Sequence, residues 1–162
     1  MTGNSDSEVT MAKKHAAEAS LRLGNQVCFA VYSTAHAFNR VYKPLLDRLG
    51  LTYPQYLVML ALWERDGVPV KDLGERLFLD SGTLTPLLKR LEAAQLVKRT
   101  RGTEDERLVL IALTPQGQSL REQAGTVPQS ILAASACSLG ELVTLKDNLI
   151  ALRDRLNAAL GE

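Results

Sequence analysis

The chain has 162 residues, 46% of them hydrophobic and 23% charged, with a net charge of +1. That length allows one domain with a real core, and no apolar run reaches the roughly 18–20 residues that a membrane span needs. The near-neutral total hides a basic stretch: residues 81–101 hold Lys89, Arg90, Lys98, Arg99 and Arg101 against Glu92 alone, and for a nucleic-acid partner distribution matters more than the sum.

The opening "MTGNSDSEVTMAKKH" has no apolar core and no small-residue cleavage site, so it does not read as a secretory signal. Residues 1–15 are expected to be a flexible polar arm. The expected location is the cytoplasm, where thiols are kept reduced. Two cysteines, Cys28 and Cys137, and two histidines, His15 and His36, lack metal-ligand spacing, and no glycines form a GxGxxG or P-loop pattern. No metal or cofactor is therefore expected.

Residues 17–48 read as one long helix that ends at "RLG", Arg48–Gly50, with Pro44 expected to kink it or split off its last turn. Cys28 lies within it, in "GNQVCFAVYSTA". Such a cysteine is either a small buried hydrophobe or a thiolate nucleophile, and the residues alone leave both open. His36 reads as surface or core rather than ligand.

"LTYPQYLVMLALWERDG" carries a helix start. Thr52 is the N-cap and Gln55 completes a capping box, with Leu51 and Tyr56 placed as a hydrophobic staple. Tyr53, Tyr56, Leu57, Leu60 and Trp63 recur at helical spacing, and Gly67 ends the run.

Val70, Leu73 and Leu77 then mark a short helix, followed by the break "FLDS" and a second stripe, Leu84, Leu87, Leu88 and Leu91. Two short helices joined by a tight turn are the helix-turn-helix pattern. On a helical wheel the leucines share one side; Gly82, Pro86, Lys89, Arg90 and Ala93 fall opposite, with Thr83 and Thr85 on the flanks. Small residues near the helix start let the backbone approach a partner, and two cations follow one turn later. A solvated charged face on a core helix is the bland alternative.

"LVKRTRGTEDERLVLIAL" reads as two strands around the loop Gly102–Glu106. A hairpin directly after a helix-turn-helix is a wing. Arg99 and Arg101 lie on one arm, and Arg107 stands at the loop exit, where Asp105 can hold its guanidinium. An arginine at a hairpin tip suits a narrow minor groove.

Helix restarts at "LTPQG" with Thr114 as N-cap and Pro115 at the first helical position, and Pro128 is expected to kink or divide it. From Leu139 the stripe Leu142, Leu145, Leu149, Leu152, Leu156 and Leu160, widened by Val143 and Ile150, needs a large partner surface. Packing within the chain or an intertwined dimer helix could supply one, and the dimer helix is the expectation.

In order and motif the chain resembles the MarR family of bacterial transcription regulators over nearly its whole length, most recognisably in "DSGTLTPLLKRLEAAQLVKRTRGTEDERLVLIALTPQG". "LTYPQYLVMLALWE" and "SGTLTPLLKRLE", together with an early cysteine, look like its OhrR branch, the organic hydroperoxide resistance regulators. The implied fold is mainly α with a small antiparallel β wing: a winged helix-turn-helix in an intertwined dimer. Residues 51–113 would be the DNA-binding domain, and residues 16–50 with 114–162 the helical dimerisation region.

The resemblance also implies roles. Cys28 would react with an organic or lipid hydroperoxide, Tyr42 and Tyr53 would hydrogen-bond its thiolate, and Cys137 would resolve the sulfenic acid as a disulfide. Phenol donors favour an ionised sulfur, whereas burial raises its pKa, so the donors must win. The expected function is a homodimeric, redox-sensing repressor on double-stranded DNA with an inverted-repeat operator. Ser81, Thr83, Thr85, Lys89, Arg90, Arg99, Asp105 and Arg107 are its candidate DNA-binding residues. Two alternatives stand beside it: a regulator of the same family released by a small aromatic ligand, with structural cysteines, and a thiol peroxidase. The basic helix and wing argue against the enzyme.

Overall fold

The structure, a computed structural model, describes residues 20–101 and 108–161. A 3-10 turn at Leu23–Asn25 precedes α1 (Val27–Asp47); α2 (Tyr53–Glu64), β1 (Val68–Pro69), α3 (Val70–Leu77), α4 (Ser81–Ala93), β2 (Val97–Arg101), β3 (Val109–Leu113), α5 (Pro115–Ala124), α6 (Val127–Ser135) and α7 (Leu139–Leu160) follow. The expected arm, residues 1–15, and the wing loop with Asp105 and Arg107 lie outside the described residues.

The chain divides into two units, residues 1–40 and 41–162. The division falls at Arg40, whose carbonyl is the one a helical N–H at position 44 would bond; position 44 is proline and has none. Pro44 does not split off the last turn, and α1 continues to Asp47. The expected unbroken helix over residues 17–48 is corrected: Ser20 is helical, a 3-10 turn at Leu23–Asn25 interrupts the run, and α1 takes over from Val27.

In the first unit the described residues are 20–40, which hold the 3-10 turn and the first part of α1. Their apolar side chains, Val27, Phe29, Val31 and Tyr32 among them, are exposed. Tyr32 meets His36 edge-on at 4.4 Å between ring centroids, and His36 is a surface residue.

The second unit holds the core. The predicted box closes α2: the Thr52 N–H donates to Gln55 Oε1 at 2.8 Å. The buried set differs from the expected stripe. Val58, Met59, Ala61 and Leu62 are buried beside Tyr56 and Trp63, whereas Tyr53, Leu57 and Leu60 are half-buried. A helix apolar on every side is covered on most sides, so its periodicity does not single out one inner face.

Leu84, Leu87, Leu88 and Leu91 of α4 are all buried, together with Leu73 of α3. The break between α3 and α4 is one residue shorter than expected, because Ser81 is already helical. Gly74 lets the two helices meet closely: a Cβ there would stand 3.0 Å from the Leu79 carbonyl oxygen and 3.4 Å from Leu84 Cδ2.

The wing pairs antiparallel, with Val97 opposite Leu113 and Arg101 opposite Val109. The sheet has a third strand that the sequence reading lacks, in the order β1-β3-β2, with Val68 opposite Ile111. A two-residue strand leaves no alternation to read, and Pro69 is tolerated because β1 is an edge. The Asp66 carboxylate accepts the Leu113 N–H at 2.8 Å and secures the wing's base.

Thr114 caps α5, its hydroxyl accepting the Gly117 N–H at 3.0 Å. The helix that follows divides at Gly125–Thr126, and Pro128 stands in the first turn of α6, where its missing N–H costs nothing. α7 buries none of its residues in the chain; Leu139, Leu145, Leu149, Leu156 and Leu160 are all exposed.

Candidate nucleic-acid interface and thiol site

The outward face of α4 is the one expected from the wheel. Ser81, Gly82, Thr83, Pro86, Lys89, Arg90 and Ala93 are exposed, and Thr85 is half-buried. Asp80, which the sequence reading did not single out, fixes the helix start. Its carboxylate accepts the Thr83 N–H and the Thr83 hydroxyl, and these bonds hold its pKa below the ordinary carboxylate value. An aspartate directly before "SGT" was the available signal.

The cations divide into two kinds. Lys89, Arg90, Lys98 and Arg101 are exposed and form no ion pair among the described residues. Arg99 is held differently. It lies on the same side of β2 as buried Val97, with its Nε 3.4 Å from a Glu92 carboxylate oxygen and its backbone N–H donating to the other oxygen at 3.3 Å. This arrangement ties β2 to the end of α4. Together α4 and β2 present a small-residue ledge, then four unpaired cations, on one helix-turn-helix and wing.

The tyrosines expected at the thiol come together. Tyr42 and Tyr53 lie 4.7 Å apart by ring centroid, and Tyr56 lies 6.1 Å from Tyr42. Burial, then the neighbouring Tyr53 and Tyr56, pushes the Tyr42 phenol up to about 12; burial also raises Tyr53. Both phenols therefore keep their protons, and their power to donate, across the physiological range.

Cys28 stands in the first turn of α1, and Cys137 between α6 and α7; both are exposed free thiols. α6 ends at Ala136, which adopts φ 52, and Cys137 Sγ donates to the Ser135 carbonyl at 3.3 Å. Among the described residues no cluster of His, Cys, Asp or Glu has a metal-holding arrangement, and no helix is long and apolar enough to cross a membrane.

A helix-turn-helix whose second helix turns small and basic residues outward, followed by an antiparallel wing, defines a winged-helix DNA-binding protein. Comparison with known proteins narrows the class. Residues 40–123 match the family described as transcriptional regulator SarA/Rot. The chain is 52% identical over 139 residues to the HTH-type transcriptional regulator TtmR of Methylorubrum extorquens (strain PA1), covering 86% of this chain and 71% of TtmR. It is 49% identical over 137 residues to the organic hydroperoxide resistance transcriptional regulator of Bacillus subtilis (strain 168), covering 85% and 93%. Among solved structures it is similar to reduced AbfR bound to DNA, with TM-score 0.74, 36% identity and coverage of 89% of this chain and 99% of that one. AbfR is also solved in a disulfide-formed state, with TM-score 0.58, 37% identity and coverage of 86% and 98%. The chain belongs to the MarR family of transcriptional regulators. It is a DNA-binding transcriptional regulator, and its relatives are regulators rather than enzymes.

Proposed function

We propose that the protein is a homodimeric, redox-sensing repressor that leaves its operator when Cys28 is oxidised by an organic hydroperoxide and joined to Cys137. The observation that carries this reading is that both cysteines are exposed free thiols, one able to meet a peroxide and the other able to meet the oxidised product. Relationship to the Bacillus subtilis regulator and to AbfR, solved both reduced on DNA and disulfide-formed, supports it.

The Cys28 thiolate attacks one peroxide oxygen, the O–O bond breaks and an alcohol leaves, so the sulfur becomes a sulfenic acid. The Cys137 thiol then attacks that sulfur, forming the disulfide and releasing water. Tyr42 and Tyr53 donate to the thiolate before reaction. If the two cysteine Cα atoms start more than about 7 Å apart, the disulfide cannot close without backbone movement, and that movement would re-set the dimer helices and hence the recognition helices. Cytoplasmic thiols reverse the bond.

In this account residues 51–113 are the DNA-binding domain, and residues 16–50 with 114–162 join the second copy through the exposed stripe of α7. The helix from Ser81 enters the major groove with Thr85, Lys89 and Arg90. Arg107, steadied by Asp105, enters the minor groove. Arg99, paired with Glu92, gives phosphate only a shared charge. The test is a non-reducing gel after cumene hydroperoxide. Wild type forms a covalent dimer, while Cys28→Ser and Cys137→Ser do not; a wild type that forms no disulfide overturns the reading.

One observation favours a second reading, release by a small aromatic ligand. A groove of about 670 Å³ lies among α3, the start of α4 and β3, lined by Val70, Leu79, Leu84 and Val109 with Lys71 and Glu75 at its polar edge. DNA release by such a ligand under fully reducing conditions would establish it.

A further inference from the structure

Phe78 is the residue at which α3 gives way to the turn. It adopts φ 55 and ψ 40, a left-handed conformation that glycine or asparagine takes at lower cost. It is also 64% exposed. A large ring in water on a left-handed backbone is doubly unfavourable unless the ring has a task.

Its partner is Arg153, on the otherwise unburied helix α7. The Arg153 guanidinium carbon lies 4.6 Å from the centre of the Phe78 ring. The same guanidinium donates from Nε and Nη2 to the Asp154 carboxylate at 2.9 and 2.7 Å. Its plane is therefore oriented by Asp154 while it reaches the ring. Two residues beyond Phe78, Asp80 caps α4, so displacement of the ring displaces the start of α4.

We propose that Arg153 is a positioning residue for DNA recognition: its guanidinium, seated on the Phe78 ring, ties α7 to the helix-turn-helix turn and sets how α4 is presented to DNA. The proposal rests on reading α4 as the recognition helix. Through this contact the arrangement of the dimer helices reaches the start of α4 directly, without passing through the core.

The test titrates the full chain by fluorescence anisotropy against two labelled duplexes of equal length. One is an inverted-repeat duplex selected from a random pool by the wild-type protein, and the other is its scrambled counterpart. Arg153→Met, which keeps the stem but loses the cation, and Phe78→Leu should each weaken the selected duplex roughly tenfold, summed over two subunits. Scrambled binding should not change. Phe78→Tyr, which keeps the ring, should bind like wild type, and the double variant should be no weaker than the worse single, as coupled residues require. Circular dichroism and thermal unfolding confirm that each variant is folded.

Unchanged selected-duplex affinity in Arg153→Met overturns the proposal. So do equal losses on both duplexes, which would make Arg153 merely a charge, and additive losses in the double variant. Lys89→Ala and Arg90→Ala separate the two readings. If they bind normally, the recognition-helix reading fails and takes the proposal with it. If they lose binding while Arg153→Met keeps it, the proposal alone fails.

Discussion

The Asp80 carboxylate accepts two hydrogen bonds from Thr83, one from the backbone N–H and one from the hydroxyl, each at 2.9 Å. One residue thus anchors the first turn of the DNA-facing helix, and the Thr83 hydroxyl proton is committed to the protein rather than to a base. Asp80→Ala should weaken operator binding by about fivefold through fraying of that turn, while Asp80→Asn, which keeps an acceptor, should lose less. Equal affinity of Asp80→Ala and wild type in a DNA titration would count against the cap's role.

The same bonds predict a pH dependence. The folded Asp80 carboxyl has a pKa below its ordinary value, chiefly through the Thr83 N–H. Its contribution is therefore complete above the ordinary carboxylate range and is lost as pH falls through the lowered value. In Asp80→Asn this part of the acid sensitivity should vanish. An acid unfolding curve with the wild-type profile would contradict it.

Lys89 is exposed, unpaired among the described residues, and about two turns beyond the small-residue start of α4. If it meets phosphate, Lys89→Ala should weaken all duplexes similarly and lower the slope of log affinity against log salt by about one per subunit. If it meets a base, the loss should fall on one operator position instead. A variant with wild-type affinity and slope would remove Lys89 from the interface.

Trp63, the chain's single tryptophan, donates its indole N–H to the Gly117 carbonyl at 2.9 Å. A Cβ at Gly117 would stand 2.0 Å from the Leu96 carbonyl oxygen. Since neither backbone segment can yield cheaply, Gly117→Ala should destabilise the fold by about 2–3 kcal/mol. Trp63→Phe, which leaves a buried carbonyl short of a donor, should cost about 1–3 kcal/mol. Urea unfolding followed by circular dichroism checks both, and a Gly117→Ala protein as stable as wild type would refute the clash.

These contacts mark the boundary of what the sequence makes legible. The leucine stripe of α4, the Thr52–Gln55 box and the Thr114 cap are local: spacing and side-chain chemistry within a few residues specify them. The helix expected over residues 17–48 is interrupted by the 3-10 turn at Leu23–Asn25, and α1 buries only Leu46, so apolar content there does not mark a packed face. The Trp63–Gly117 bond, the Asp66–Leu113 bond and the Arg99–Glu92 pair join elements far apart in the chain, or across a turn, and no periodicity announces them. The pairing of Tyr42 with Tyr53 came from family resemblance; the structure adds that the rings adjoin and their phenols stay protonated.

Tyr42 is the more strongly shifted of those two phenols, at about 12. A phenol that stays protonated is a donor at every pH where a thiolate is useful. If Tyr42 donates to the Cys28 sulfur, as proposed, Tyr42→Phe should slow the reaction of Cys28 with cumene hydroperoxide near neutrality. Stopped-flow rates measured across pH check this, and a superimposable rate profile would discard the phenol's role.

The most direct test of the account is a titration of an inverted-repeat promoter fragment with wild-type and Cys28→Ser protein, each with and without an organic hydroperoxide. The account predicts that all reduced samples bind alike, that peroxide releases the wild type, and that Cys28→Ser stays bound. Release of Cys28→Ser by the same peroxide, or retention of oxidised wild type, would contradict it.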